Sequence, residues 1–254
     1  MFKPIKINEI IDKNNSNSSS FVFNNLSSNM GITLGNYLRR FSLDYIGSYS
    51  IIAVEITDKN GFIKSEFSTI KGVREVTPFL ILNLKKIILL IEEEEKKKDF
   101  FSLELEINNE SEEEIEIKAE NFIKKEKIKI LNSDIYLTTI SPKSYLKIKL
   151  YFRWNFGYHF AENQQNEVCN EDYFSDKEFE NIIFIDTNYC PVLNSNFEVN
   201  EIITGLNEKK EEMRFSISSN GSITPKNILF EILNKSKNYF EEIIEEIKKN
   251  SKNL

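Results

Sequence analysis

The sequence predicts an α+β fold in which a strand-rich segment is inserted into a unit built from both chain ends. Three observations carry this. Residues 87–150 are a series of period-2 segments (IILLI, FSLELEI, EIEIKAE, KIKIL, DIYLTTI, YLKIKLYF), the spacing of half-buried strands. Both flanks instead mix strands with helices of three-and-four spacing. The middle, taken as 57–178, is bounded by an Asn-Gly turn and by the polar, loop-like stretch 161–180 (AENQQNEVCNEDYFSDKEFE). The flanks, 1–56 and 179–254, then form one unit.

Residues 1–12 alternate weakly through Ile5, Ile7 and Ile10 and read as a strand, 13–20 (KNNSNSSS) as a polar loop, and 21–23 (FVF) as a short strand. Thr33 is placed to cap a helix whose apolar residues, Leu34, Tyr37, Leu38 and Phe41, recur at three and four. The β-branched run at 49–56 (YSIIAVEI) is a strand, DKNG at 58–61 a hairpin turn, and 62–67 the return strand. Pro78 suits the first turn of a helix over 78–86. The charge runs at 92–98 (EEEEKKK) and 110–114 (ESEEE) read as solvated hairpin tips. Strands are expected at 182–185, 197–203 and 214–217. Thr224-Pro225 starts a helix running to about 249. Leu229, Ile232, Leu233, Phe240, Ile243, Ile244 and Ile247 form its apolar stripe, which its own unit or a second copy must cover.

The 254 residues carry 40 acidic against 33 basic side chains, a net charge of −7. Affinity for nucleic acid comes mainly from Lys and Arg meeting phosphates, so this chain is a poor candidate to grip it alone. No apolar run of membrane-spanning length occurs. The opening MFKPIKINEI lacks a secretory core and the Arg/Ser-rich look of a transit peptide, so the chain is expected to act where it is made. Two cysteines, Cys169 and Cys190, fit a reducing compartment. Asn (30) and Lys (28) abound while Ala (3) and Arg (5) are scarce, the drift of an AT-rich, reduced genome. That drift marks the remaining arginines, Arg39, Arg40, Arg74, Arg153 and Arg214.

Chemistry finds little support. His159 is the single histidine, so the usual zinc ligand sets cannot be assembled. Residues 31–35 (GITLG) lack the Lys-Ser/Thr of a phosphate loop. Cys169 or Cys190 with His159 is a possible nucleophilic pair. The favoured reading is two ordinary thiols and an edge histidine. No catalytic, cofactor or metal residues are therefore expected. Arg39 and Arg40 point about 100° apart on a helix. Their spacing leaves two readings open, a pair of solvated charges with snorkelling stems or a cation offered to a partner's carboxylate.

Several segments resemble the α subunit of multisubunit DNA-directed RNA polymerase. Residues 30–40 (MGITLGNYLRR) are similar to its G-x-T-L-G-N-x-L-R-R helix, and 66–75 (EFSTIKGVRE) to its E-Y/F-S-T-x-x-G-V-x-E, continued by 81–85 (ILNLK). AENFI at 119–123 with LNSDI at 131–135 resembles A-x-D-I…V-N-P-D-L. Gly157-Tyr158 matches part of G-x-G-Y, with Asn155 at the first glycine. Ile185-Asp186, 189–192 (YCPV) and 197–199 (FEV) follow V-D…Y-S-P-V…Y-x-V. SNGSITP at 219–225 is similar to T-N-G-T-I-x-P before the last helix.

The resemblance implies a dimerisation subdomain from both chain ends with an inserted strand-rich subdomain. It implies a homodimer that serves as the assembly platform for the catalytic β and β′ subunits, in a plastid or in a bacterium of reduced genome. The partner-contact residues it implies are Arg40 and Arg74 toward β, and Lys85, Ile185 and Asp186 toward the large subunits. Dimerisation is expected through Leu34, Leu38, Phe41, Phe240, Ile243, Ile244 and Ile247. Ser27 and Ser28 replace a common Glu-Arg, and Asn194 a common basic residue. The chain stops shortly after its last helix, so the family's C-terminal DNA-binding domain is expected to be absent.

Overall fold

The structure, a computed structural model, describes residues 5–12, 15–91, 100–123, 128–170, 179–203 and 209–252. The charge run at 92–98 and residues 171–178 of the predicted loop lie outside them. In chain order the elements are β1 (Lys6–Ile11), β2 (Ser18–Ser27), α1 (Met30–Asp44), β3 (Gly47–Asp58), β4 (Gly61–Phe62), α2 (Thr77–Leu84), β5 (Leu89–Ile91), β6 (Phe100–Asn109) and β7 (Ile115–Lys118). There follow β8 (Ile128–Ile130), β9 (Tyr136–Ile140), β10 (Ser144–Phe156), β11 (Tyr158–His159), α3 (Ala161–Asn170), β12 (Ile182–Phe184), β13 (Thr187–Asn188), β14 (Val192–Ile203), β15 (Lys209–Ser219) and α4 (Pro225–Lys252).

The chain divides into two compact units, Met1–Ile46 with Cys190–Leu254, and Gly47–Tyr189. The inserted unit thus opens at Gly47 rather than 57, because β3 pairs with β10 along its whole length, from Gly47↔Phe156 to Asp58↔Leu146. It closes at Tyr189 rather than 178, because β12 adds to the same sheet beside β3.

In the first unit an antiparallel sheet runs β1-β2-β15-β14. Phe21 stands opposite Phe215 and Phe23 opposite Met213, so the apolar residues of both strands share one face. That face carries the core, which Leu38 of α1 and Ile228, Leu229 and Ile232 of α4 complete. On the other face Ser18 meets Ser218 and Ser20 meets Ser216 through hydroxyl pairs at 2.8 and 2.9 Å.

Helix α1 begins at Met30, ahead of the expected cap at Thr33. Its start is set by Glu211 of β15, whose carboxylate accepts the Asn29 and Gly31 amides at 2.6 and 2.7 Å. Helix N-termini expose unsatisfied amides and partial positive charge, which a carboxylate answers on both counts. Gly31 and Gly35, the ends of GITLG, are a packing face: a Cβ on Gly31 would stand 2.7 Å from Val199, and one on Gly35 2.3 Å from the Phe197 ring.

In the second unit the main sheet runs β12-β3-β10-β6, with β4 on β3. Leu146, Ile148, Leu150 and Phe152 of β10 face one core with Val54, Ile56, Leu103 and Leu105. Tyr151, alternating with them, faces the opposite side, where a bulge in β3 places both Ile52 and Ala53 beside Val168 and Tyr189. Helix α3 covers that face, where polar composition had indicated a loop. Its Gln164 and Val168, one turn apart, are both buried. Gln164 donates to the Ile185 carbonyl at 2.8 Å and accepts the Tyr189 hydroxyl at 2.5 Å. Burial pushes the Tyr189 phenol well above its ordinary range, so it remains a donor. The return strand after DKNG is shorter than expected, since only Gly61 and Phe62 pair with β3. Strands β6 and β7 lie in different sheets, so 110–114 is an exposed crossover rather than a hairpin tip.

Gly35→Val should lose stability by about 1–3 kcal/mol, since a branched side chain meets the Phe197 ring. The midpoint of urea unfolding followed by far-UV circular dichroism measures the loss, and an unchanged midpoint would contradict the packing role.

Candidate partner-contact surfaces

On the first unit the surface is built by α1 and α4. The first turns of α4 pack on their own sheet through Ile228, Leu229, Ile232 and Ser236. Ser236 Oγ donates to the Ile232 carbonyl and accepts the Tyr37 hydroxyl at 2.8 Å, tying α4 to α1. Lys235 Nζ reaches the Tyr45 carbonyl at 2.9 Å. An aromatic row, Phe240–Tyr37–Phe41–Tyr45, runs between the helices with centroids 6.4, 5.5 and 4.5 Å apart.

Beyond Ser236 the residues of α4 up to 249 are exposed. Phe240, Ile243, Ile244 and Ile247 are 41–60 % exposed. Leu34 and Phe41 are partly buried against their own core. Leu38 is fully buried there, which corrects its expected place at a dimer surface: it has no area left to offer. Arg39 and Arg40 are exposed on α1. Arg214 is exposed on β15, in register with Val22 and Glu198.

On the second unit the segment between β4 and α2 is held by two carboxylates. Asp58, almost fully buried, accepts the Asn60 amide at 2.7 Å and the Lys71 amide at 2.9 Å. Glu75 accepts the Tyr136 and Thr138 hydroxyls, each at 2.5 Å, and the Thr139 amide at 3.1 Å. Burial alone would raise the Glu75 pKa, but these hydrogen bonds to the charged form outweigh it and the carboxyl lies below its ordinary 4.5. The Arg74 backbone amide donates to the Thr139 carbonyl at 3.0 Å. Its guanidinium meets Glu114 at 3.3 Å in an exposed pair of small energetic weight.

So held, the segment presents side chains the sequence reading did not single out. Phe67 is 82 % exposed, and Ser68 beside it accepts the Thr77 hydroxyl at the start of α2. Phe79 and Leu82 lie on the outer face of α2, with Val76 three residues earlier just before the helix, opposite buried Leu80, Ile81 and Leu84. The two interleaved rows are visible in TPFLILNL. No local pattern announces Phe67. Lys85 is exposed just after α2.

The remaining expected contacts divide. Ile185 is buried in the core of its unit, so its side chain presents no contact surface and that expectation is corrected. Asp186 is half-buried and acts locally: it accepts the Ala161 amide at the start of α3 at 2.8 Å and the Tyr158 hydroxyl at 3.3 Å.

His159 and Cys190 belong to different units. His159 has Phe156 O at 3.1 Å and Glu167 at 3.8 Å, and Glu167 also holds Arg153 at 3.1 Å. Burial pushes the Cys190 thiol up, away from the reactive thiolate. The side chain of Cys169 lies outside the described residues. Among those described, no group of three or more His, Cys, Asp or Glu is arranged to hold a metal. No described helix is long and apolar enough to cross a membrane.

A sheet-and-helix unit from both chain ends, interrupted by a strand-rich insert, defines an α+β chain of two units. Residues 54–190 match the family described as RNA polymerase Rpb3/RpoA insert domain. The DNA-directed RNA polymerase subunit alpha of Phaeodactylum tricornutum is 34% identical over 82% of this chain and 60% of its own length. That of Thalassiosira pseudonana is 34% identical over 92% and 68%, and that of Malacoplasma penetrans 29% identical over 80% and 59%. This chain thus spans about three-fifths of the first of these relatives. It belongs to the RNA polymerase alpha-subunit family.

The low Glu75 pKa fixes a sign. The carboxylate stabilises the folded segment fully above its unfolded value near 4.5, and that contribution is lost as pH falls through the lower folded value. Glu75→Gln should therefore lower stability at pH 7 and flatten its decline below pH 4.5, read as urea midpoints at both pH values. Parallel pH profiles for the two proteins would refute the pinning role.

Proposed function

We propose that this chain is a non-catalytic alpha subunit of a DNA-directed RNA polymerase that homodimerises and provides the platform on which the β and β′ subunits assemble. One observation carries the reading. The apolar stripe of α4 continues past the residues that pack on its own sheet, with Phe240, Ile243, Ile244 and Ile247 exposed. A helix keeps such a stripe for a partner. Family membership and the names of the relatives support the identity of that partner as a second copy within a polymerase. Arg40 on α1 and the surface of Phe67, Arg74, Phe79, Leu82 and Lys85 are then the contacts for the large subunits. Exposed aromatic and arginine side chains are residue types enriched in protein–protein hot spots. Asp186 serves by fixing the start of α3. The AT-drifted composition supports a plastid or a reduced bacterial genome as the source.

Affinity capture of the tagged chain from native cells should recover two very large subunits with a pair of alpha chains. A bare dimer without them would refute the polymerase reading and leave a free-standing structural protein. Arg40→Ala should leave the dimer intact and weaken large-subunit capture by about 1–3 kcal/mol, the worth of a charge-assisted contact. Dissociation of that variant's dimer on gel filtration would overturn this division of roles.

A further inference from the structure

The strand-rich unit carries a ridge of exposed aromatic side chains. Within residues 154–160 (WNFGYHF) every second residue is aromatic, and Trp154, Phe156, Tyr158 and Phe160 are 40–60 % exposed, while each residue between them is half-buried. Side chains alternate along a strand, so Trp154 and Phe156 continue the row of buried Leu146, Ile148, Leu150 and Phe152 in β10. The rings are held in place. Gly47 stands opposite Phe156, and a Cβ there would lie 3.1 Å from the Trp154 indole. Tyr158 and Phe160 meet edge to face with centroids 5.4 Å apart, and the Tyr158 hydroxyl donates to Asp186 at 3.3 Å. The Phe160 carbonyl accepts the Asn163 and Gln164 amides, both at 3.1 Å, which anchors its backbone at the start of α3.

We propose that this ridge docks a short, extended segment of a partner protein that carries arginine or lysine between apolar residues. Three observations choose this occupant. The first is area. Four aromatic side chains, each about half exposed, offer about 400 Å². A stable contact between folded proteins takes roughly 800 Å² a side, so a short segment fits where a second copy does not. The second is spacing. Trp154 and Phe156 lie two residues apart on a strand, about 7 Å, the interval at which alternate side chains of an extended peptide recur. The third is charge. Asp186 is bonded to the Tyr158 hydroxyl and the Ala161 amide, and exposed Glu162 follows Phe160 by two residues. Residues 154–170 contain no Lys or Arg, and the guanidinium of Arg153 just before them meets Glu167 at 3.1 Å. Carboxylates beside aromatic faces attract a cation, arginine above all, by ion pairing and cation–π contact. The same charges repel nucleic acid, whose stacking platforms combine aromatics with a positive groove.

Fluorescence anisotropy of a labelled peptide of alternating Leu and Arg, titrated with the full chain, tests this. Binding should saturate and should shift the emission of Trp154, the single tryptophan. Phe160→Ser and Glu162→Lys should each weaken it at least tenfold with circular dichroism unchanged, and a peptide of alternating Leu and Glu should not bind. Absence of saturable binding, undiminished binding by Phe160→Ser, or tighter binding of a single-stranded oligothymidylate would overturn the proposal. So would a weaker dimer of Phe160→Ser in light scattering, which makes the ridge a contact between copies. Affinity capture with Phe160→Ser should still recover the large subunits, and their loss from this variant alone would assign the ridge to the polymerase interface instead. Large subunits missing from the wild-type capture as well would refute the polymerase reading and leave the peptide result to stand by itself.

Discussion

The first unit depends on a carboxylate inside its own sheet. Glu211 sits at a buried position of β15 and places both oxygens on the opening amides of α1. This one residue decides where the helix starts, and therefore which residues face the sheet. With the start at Met30, Gly31 and Gly35 meet β14, Leu38 enters the core and the two arginines turn outward. Rotating the helix by one residue would drive Ile32 and Asn36 into Val199 and Phe197. Ionisable groups are rarely buried without a partner, and here the helix end is that partner.

The second unit uses the same device where the chain is irregular. The segment between β4 and α2 has few ladder hydrogen bonds, so its backbone needs other partners. Asp58 supplies one to the Lys71 amide, and Glu75 ties the segment's end to β9 through Tyr136, Thr138 and Thr139. Holding both ends leaves the middle free to carry Phe67 in water without collapse onto the sheet. A carboxylate receiving three donors is itself ordered, and a contact surface already fixed before binding loses less entropy when a partner arrives.

Much of this was legible in the sequence, for identifiable reasons. The period-2 segments became strands and set the α+β class, and the family followed from motifs spread along the chain. The α4 stripe was visible as spacing, but which half of it packs on its own unit was not. What escaped depended on contacts distant in sequence. Nothing near Thr33 indicates that Glu211 will cap α1. Helix α3 is polar in composition because only Gln164 and Val168 need to be buried, and the glutamine is satisfied by carbonyl and phenol partners brought by β12 to β13. Leu38 and Ile185 matched contact positions by motif, yet their side chains serve the interior, since a motif fixes position along the chain and not the direction a side chain faces.

The two glycines of α1 have a consequence for how this sequence can change. Its composition shows codons sliding toward Ile, Asn and Lys, and its cores absorb that slide because they require volume more than identity. Gly31 and Gly35 offer no such latitude, because every other residue brings a Cβ into an occupied space. Under such a compositional slide, a substitution at either position costs packing that an exposed position of the same helix does not. A chain with only 8 glycines keeps two of them one helical turn apart where the sheet leaves no room for anything else.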